Sequence, residues 1–436
     1  MNKSDSERIA AYLEDLGYVW QDVKEQADLV VTTTCGIKQT AEDRAYGLIP
    51  RIKKINPKVK TILTGCLANR EDVRRRLKNS VDIWLPINEL PQLADKLKVT
   101  NKFDGSLSGY LAIEPKVESQ YSALVPIGNG CNNFCTYCVV PYARGREVYR
   151  PAEEIFDEVR GLVKRGYKEI TLIAQNVNSY KSKFQSSNVK SNPKSKIQNT
   201  FPAVIMGLKS GEINFAQLLK LVNDIPGDFW LRFSTSHPKD MSDDLIKILP
   251  KCEKLCHHIH LPVQSGDDQI LAAMNRKYDS GHYLKLIEKI KKVLPDVSLT
   301  TDIIVGFPGE TKTQFRQSLK LAQTVGFDNI FIGQYSPRPY TAAYKLKNNV
   351  TKTEKKRREE ELMKVLRKTA KFNSKKDLGK NSEVLVDVYK KGNYYGRTRI
   401  GKNVKILTDK KLKIGEFVNV KIIKAMDFGM DGELTE

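Results

Sequence analysis

The stretch Gly130-Cys131-Asn132-Asn133-Phe134-Cys135-Thr136-Tyr137-Cys138 decides how this chain is read. It sets three cysteines at C-x3-C-x2-C spacing. Two chemistries compete for such a triplet. A structural zinc ion wants four protein ligands, and no fourth cysteine or histidine follows nearby. Three thiolates on an iron–sulfur cubane leave one iron without a protein ligand. An open metal position is what a catalytic site needs, so Cys131, Cys135 and Cys138 are read as catalytic residues and metal ligands.

Outward from that stretch, the chain alternates strand and helix. Candidate strands lie at 123–127, 169–174, 229–234, 257–262, 299–305 and 329–334, each followed by a loop and mostly by a helical pattern. Six such units resemble a partial barrel more than a doubly wound sheet. The cysteines follow the first strand, and barrel ligands bind at strand carboxyl ends. Residues 181–210 break the rhythm with a lysine-rich, low-complexity insertion, expected to be a disordered surface arm. The helix expected over 351–377 carries mixed charges at helical spacing, the pattern of a solvated face. Beyond it, Val384–Val388, Val404–Leu407 and Phe417–Ile422 read as strands split by glycine turns, hence a small β-barrel over 378–436. Upstream, the runs Leu29–Thr33, Lys60–Thr64 and Val81–Leu85 alternate with helical patterns near 6–16, 39–54 and 70–79, a parallel βαβ domain. A polar linker is expected around 101–120.

Composition narrows the class. The 436 residues are 40% hydrophobic and 28% charged, with a formal net charge of +22. Such a surplus attracts a polyanion such as nucleic acid. The chain lacks an apolar run of about 18 residues, and its first residues lack the apolar core of a signal peptide, so no membrane is implicated and a cytoplasmic location is expected. Seven cysteines, an odd number, argue against a disulfide framework.

Flanking motifs sharpen the reading. Val140-Pro141-Tyr142-Ala143-Arg144-Gly145-Arg146-Glu147 follows the cysteines, and Gln175-Asn176-Val177-Asn178-Ser179-Tyr180 follows the second strand. Ser234-Thr235-Ser236-His237-Pro238, His260-Leu261-Pro262-Val263-Gln264-Ser265-Gly266 and Thr301-Asp302-Ile303-Ile304-Val305-Gly306-Phe307-Pro308-Gly309-Glu310 follow later strands. The cysteine spacing resembles the radical S-adenosylmethionine superfamily. With these motifs, nearly the whole chain resembles its methylthiotransferase family. The resemblance implies an α/β fold of three parts: an N-terminal methylthiotransferase domain over 1–105, a radical (βα)6 barrel over 117–350 and a C-terminal TRAM domain over 378–436. It implies two 4Fe-4S clusters, S-adenosylmethionine, tRNA as partner and an external electron donor, in a monomer. The implied reaction places a methylthio group on the two-position carbon of N(6)-dimethylallyladenosine beside the anticodon. The threonylcarbamoyl-adenosine branch is the nearer rival, and an RNA-binding protein without a working second cluster is another. By resemblance, Tyr137 is a platform beside the adenine, and Gln175, Ser236, Gln264 and Asp302 line the barrel mouth. Arg397 and Arg399 resemble RNA contacts of the TRAM domain.

Two features stand apart. The family's auxiliary cluster takes three N-terminal cysteines, and Cys35 and Cys66 match two of them. Met1-Asn2 stands directly before Lys3-Ser4-Asp5-Ser6-Glu7, where the family has a further strand bearing the first cysteine. The expectation is a start assigned at an internal methionine, or a fragmentary sequence, and a parallel sheet missing its first strand. Cys252 and Cys256, near His257, His258 and His260, are expected to pack in the core.

Overall fold

The computed structural model describes residues 1–36, 39–100, 109–185 and 210–435. These fall into two compact units. One comprises Met1–Glu118, Gly128–Val148 and Ser336–Leu346; the other comprises Ser119–Ile127, Tyr149–Tyr335 and Lys347–Glu436. The boundaries drawn from sequence differ. They leave the cysteine stretch with the barrel and set the C-terminal domain apart. Buried ion pairs account for both differences, as the contacts within each unit make plain.

In the first unit, strands Leu29–Thr34, Lys60–Gly65 and Ile83–Leu85 form a parallel sheet in that order. Successive side chains on a strand point to opposite faces. Ile62 therefore packs with Ile9 and Tyr12 of helix Asn2–Asp15, while Leu63 packs with Ile49, Leu67 and Val73 on the other face. The third strand starts at Ile83 rather than Val81. The Asp82 carboxylate instead accepts from Thr61 N–H and from Lys53 Nζ, both at 2.7 Å. The expected linker is not all linker: Tyr110 is 4% exposed and joins the core of this unit.

In the second unit, all six expected strands are present, as Ser122–Pro126, Glu169–Ile173, Trp230–Ser234, His258–His260, Ser298–Val305 and Asn329–Gln334. The first three pair in parallel, as do the last three, and the two sheets meet where Leu231 bridges Leu255. The result is the six-stranded partial barrel in sequence order. The ends of the expected insertion form a two-stranded antiparallel ribbon, Lys181–Gln185 with Ser210–Asn214; the rest of it lies outside the described residues. Helix Phe215–Asn223 begins with a capping box, in which Asn214 Oδ1 accepts from Gln217 N–H.

The C-terminal residues close a five-stranded barrel from Asn381–Lys390, Asn393–Thr398, Asn403–Leu407, Met430–Leu434 and Phe417–Ala425, in that spatial order. Two of these strands had no expectation. Met430-Asp431-Gly432-Glu433-Leu434 carries two acids and a glycine, a poor strand former by composition. The charged helix, Lys352–Lys375, is not wholly solvated. Arg358 is 3% exposed and bonds Glu310 at 2.6 Å, and Lys355 Nζ donates to Tyr335 O at 2.9 Å. Mixed charges thus conceal a buried stripe with Leu362 and Leu366.

The C-terminal barrel joins this unit through Glu169. Its carboxylate accepts from Arg232 Nε at 2.7 Å and from Arg397 at 3.0 Å, and Ser122 donates to it at 2.8 Å. Trp230 packs at a tilt against Phe417 with ring centroids 4.9 Å apart, and its indole N–H donates to Glu383. Cys256 packs with Trp230 and Leu385, and Cys252 is equally buried, as expected of core cysteines. His258 lies against Gly401, whose added Cβ would stand 3.2 Å from the ring. Burial, aided by Arg232, pushes the His258 pKa down to about 3. The unfolded chain binds a proton below about pH 6.5 that the folded chain refuses. Stability is therefore flat above that pH and falls as acid is added, by about 1.4 kcal/mol per pH unit from this residue. Urea midpoints at pH 7 and pH 5.5 test this: His258→Gln should be the less pH-sensitive protein, and equal sensitivity would refute the assignment.

Candidate active site

The cysteine loop is built within the first unit. Gly130 has φ +86°, and a Cβ there would lie 2.1 Å from Arg146 O, so only glycine fits. Cys131 N–H donates to Gly145 O, and Cys138 N–H donates to Cys135 O. Between them Phe134 takes a left-handed φ of 47°. Helix Val140–Arg144 follows, and Arg144 fixes it. Its guanidinium bonds Asp5 at 2.6 Å, Asn2 at 2.9 Å and Asn129 at 3.0 Å, with both charged side chains about fully buried. That pair is one reason the loop belongs with the N-terminal residues. A second tie is Ala343 N–H to Thr136 O at 2.8 Å.

Cys35 and Cys66 stand at neighbouring strand ends, one residue beyond the paired Thr34 and Gly65. Gly65 has φ +83°, and a Cβ there would meet Thr34 O at 2.4 Å. The turn sends Cys66 N–H back to Thr34 O. A Cβ on Gly36 would touch both Cys66 Cβ, at 3.2 Å, and Val139, at 3.1 Å. The cysteine loop therefore packs against the strand ends that carry Cys35 and Cys66. Two cations serve this region: Cys66 is among the groups that act on Arg144, and Cys35 among those that act on Arg338. Arg338 and Arg70 both grip buried Glu42, each at 2.7 Å. Tyr137 sits half-buried on the same loop.

The residues present suit a cluster. All seven cysteines are free. Burial, with Cys135 close by, pushes the Cys138 thiol up to about 12, so its thiolate form needs positive charge beside it, which a metal centre supplies. Among the described residues no three His, Cys, Asp or Glu side chains converge as a single ion requires. A cubane asks for a different arrangement, with each thiolate on its own iron.

In the second unit, backbone hydrogen bonds stitch successive strand ends into one rim. Val177 N–H donates to Thr235 O, Ser236 N–H to His260 O, and Gln264 N–H to Asp302 O. Thr235 and Gln264 take positive φ, 71° and 73°, a strain characteristic of functional sites. Gln264 and Asp302 are thus brought together, and Asp302 also faces His260 at 3.4 Å. Among the described residues, Gln175 Oε1, Asn176 Oδ1 and Ser236 Oγ are buried without a hydrogen-bond partner. Buried polar atoms without partners are costly, and three on one rim suit a polar ligand. Asn176 and Thr235 lay in quoted motifs but were not singled out; neither an orphaned oxygen nor a positive φ is visible in sequence.

Arg397, expected to contact RNA, is ion-paired within the protein. It is held by Asp387 at 2.7 Å and by Glu169, so its charge is neutralised inside the protein. Arg399 Nε donates to Leu255 O.

Comparison with known proteins agrees with this architecture. Residues 125–322 match the radical SAM superfamily, and residues 1–86 match uncharacterized protein family UPF0004. The tRNA-2-methylthio-N(6)-dimethylallyladenosine synthase of Clostridium botulinum strain Langeland is 40% identical, over 99% of this chain and 94% of its own length. The chain belongs to the tRNA-2-methylthio-N(6)-dimethylallyladenosine synthase family. The synthase of Clostridium perfringens strain SM101 is also 40% identical, over 100% of this chain and 96% of its own. Among solved structures, the radical S-adenosylmethionine methyltransferase TsrM from Kitasatospora setae superposes with a TM-score of 0.52 at 13% identity, covering 78% of this chain and 73% of that one. At that identity the likeness concerns the fold. The family is a radical S-adenosylmethionine transferase family, which implies a 4Fe-4S cluster and S-adenosylmethionine. No helix among the described residues is long and apolar enough to cross a membrane.

Proposed function

We propose that this protein methylthiolates the two-position carbon of N(6)-dimethylallyladenosine in tRNA. The observation that carries the reading is the packing of the free-cysteine loop against the strand ends of Cys35 and Cys66, in a chain 40% identical throughout to synthases of that name. Cys131, Cys135 and Cys138 hold the radical cluster. Cys35 and Cys66 give two thiolates to an auxiliary cluster, with Arg338 and Arg144 offsetting their negative charge. When bound, the clusters supply an electron for cleaving one S-adenosylmethionine and a sulfur that is methylated by another.

The protein's own residues bind, orient and exclude water. Gln175 and Ser236 turn their unpartnered polar atoms to the cofactor or the base. Gln264 and Asp302, fixed to each other through the backbone, keep adjacent strand ends in register. Tyr137 offers a face beside the adenine. The electron comes from an external donor.

Nucleoside mass spectrometry of tRNA from a deletion strain tests the proposal. The 2-methylthio nucleoside should vanish and N(6)-dimethylallyladenosine should accumulate, with both reversed by the restored gene. An unchanged nucleoside profile would overturn the reading, and loss confined to the 2-methylthio derivative of threonylcarbamoyl-adenosine would move the substrate to the rival branch.

A further inference from the structure

The last three strands of the partial barrel present one open face. Alternate side chains on a strand share a face, so His260, Thr300, Asp302, Ile304, Phe331 and Gly333 belong together. Side-chain contacts join them. His260 Nδ1 lies 3.0 Å from Thr300 Oγ1, and its Nε2 lies 3.4 Å from Asp302. The opposite face is closed: Leu299, Ile303 and Ile330 are at most 3% exposed.

Phe331 breaks the pattern of a buried strand. It lies within strand Asn329–Gln334, yet it is 52% exposed. Its ring meets the His260 ring at 77° with centroids 5.6 Å apart, so it is braced while much of it stays open. Phe331 is directly across from Asp302, and Gly333 is directly across from Ile304. A Cβ on Gly333 would meet nothing within 4 Å, so there is room beside the ring. Single apolar side chains on an outer surface need no explanation. This one shares its wall with Asp302, which the backbone ties to the strained Gln264 at the rim.

The chemistry of the wall is one-sided. It offers a phenyl ring, the aliphatic Ile304 and the opening at Gly333. Strands His258–His260, Ser298–Val305 and Asn329–Gln334 contain no lysine or arginine. An apolar group settling here gains by leaving water. A carboxylate would lose its water with no cation on these strands to replace it.

We propose that Phe331 selects the substrate by packing against the dimethylallyl group on N(6) of the adenine, with Ile304 and the opening at Gly333 completing the seat. The inference rests on the methylthiotransferase reading above and deepens it to the residue that tells one N(6) substituent from another. The threonylcarbamoyl substituent of the rival branch bears a carboxylate, which this wall leaves without a cation. Phe331 touches the substituent rather than the two-position carbon, so it governs selectivity.

The test uses the full-length, reconstituted enzyme and labelled anticodon stem-loop RNA carrying either N(6)-dimethylallyladenosine or plain adenosine. Wild type should bind the dimethylallyl RNA about tenfold more tightly, and Phe331→Ala should bind the two alike. Phe331→Leu, still apolar, should keep most of the preference. In Phe331→Ala, kcat/KM for the dimethylallyl RNA should fall about tenfold, chiefly through KM. Deoxyadenosine formation without RNA should be unchanged in both variants, which shows that each is folded and loaded. A wild-type ratio of affinities in Phe331→Ala would overturn the inference. So would equal losses for both RNAs, which mark a general defect, or a wild type that binds both alike. A wild type that leaves the dimethylallyl RNA without a methylthio group would instead overturn the functional reading, and this inference with it.

Discussion

Glu169→Gln is expected to destabilise the second unit by about 3–5 kcal/mol, the range for removing one partner of a buried ion pair. Burial alone would raise the Glu169 pKa, but Arg397, Arg232 and the Ser122 hydroxyl more than reverse it, so the carboxyl is held below its ordinary value. The pairing thus stabilises the fold above the normal carboxylate range and is lost as the pH falls through it. Glutamine keeps the shape and removes the charge, leaving the Arg232 guanidinium, with its side chain 8% exposed, facing a neutral amide. Trp230, packed against Phe417 beside this network, makes its fluorescence the readout during urea unfolding. The double variant Glu169→Gln with Arg232→Met should recover part of the loss, because it removes the charge left facing the amide, whereas Arg397 keeps Asp387 at 2.7 Å. A single variant with an unshifted urea midpoint would show that the network holds nothing together.

That network also shows where sequence stops informing. The six barrel strands were legible because β-branched and apolar runs recur between helical patterns. The N-terminal sheet was legible for the same reason. Glu169 was not: an acid at the start of a strand looks solvated until the strand beside it brings Arg232 and the C-terminal barrel brings Arg397. Lys355 and Arg358 mislead in the same way, since charge hides which stripe of their helix is buried. In the site, Cys131, Cys135 and Cys138 were legible by spacing alone, because their loop is local. The packing of that loop against Cys66 depends on Arg144 finding Asp5 across more than a hundred residues, which no local pattern announces. The orphaned Ser236 hydroxyl and the strained Gln264 backbone are likewise properties of the assembled rim.

Cys138→Ala is expected to abolish deoxyadenosine formation and to lower the iron content after anaerobic reconstitution by about four atoms per chain, one cubane. Each thiolate of the triplet would hold a different iron of the cubane, and the loop offers no spare thiol. Cys66 stands on another strand end and is held there by Gly65 and Thr34, its N–H donating to Thr34 O. Cys66→Ala should therefore separate the two activities. Deoxyadenosine should still form from S-adenosylmethionine, while tRNA gains no methylthio group. Loss of both in Cys66→Ala would mean that the two cysteine sets form a single site. Deoxyadenosine formation persisting in Cys138→Ala would remove the radical assignment altogether. The order of these outcomes follows from geometry: the triplet lies on one loop whose backbone closes on itself between Cys131 and Gly145, whereas sulfur delivery depends on strand ends packed beside it.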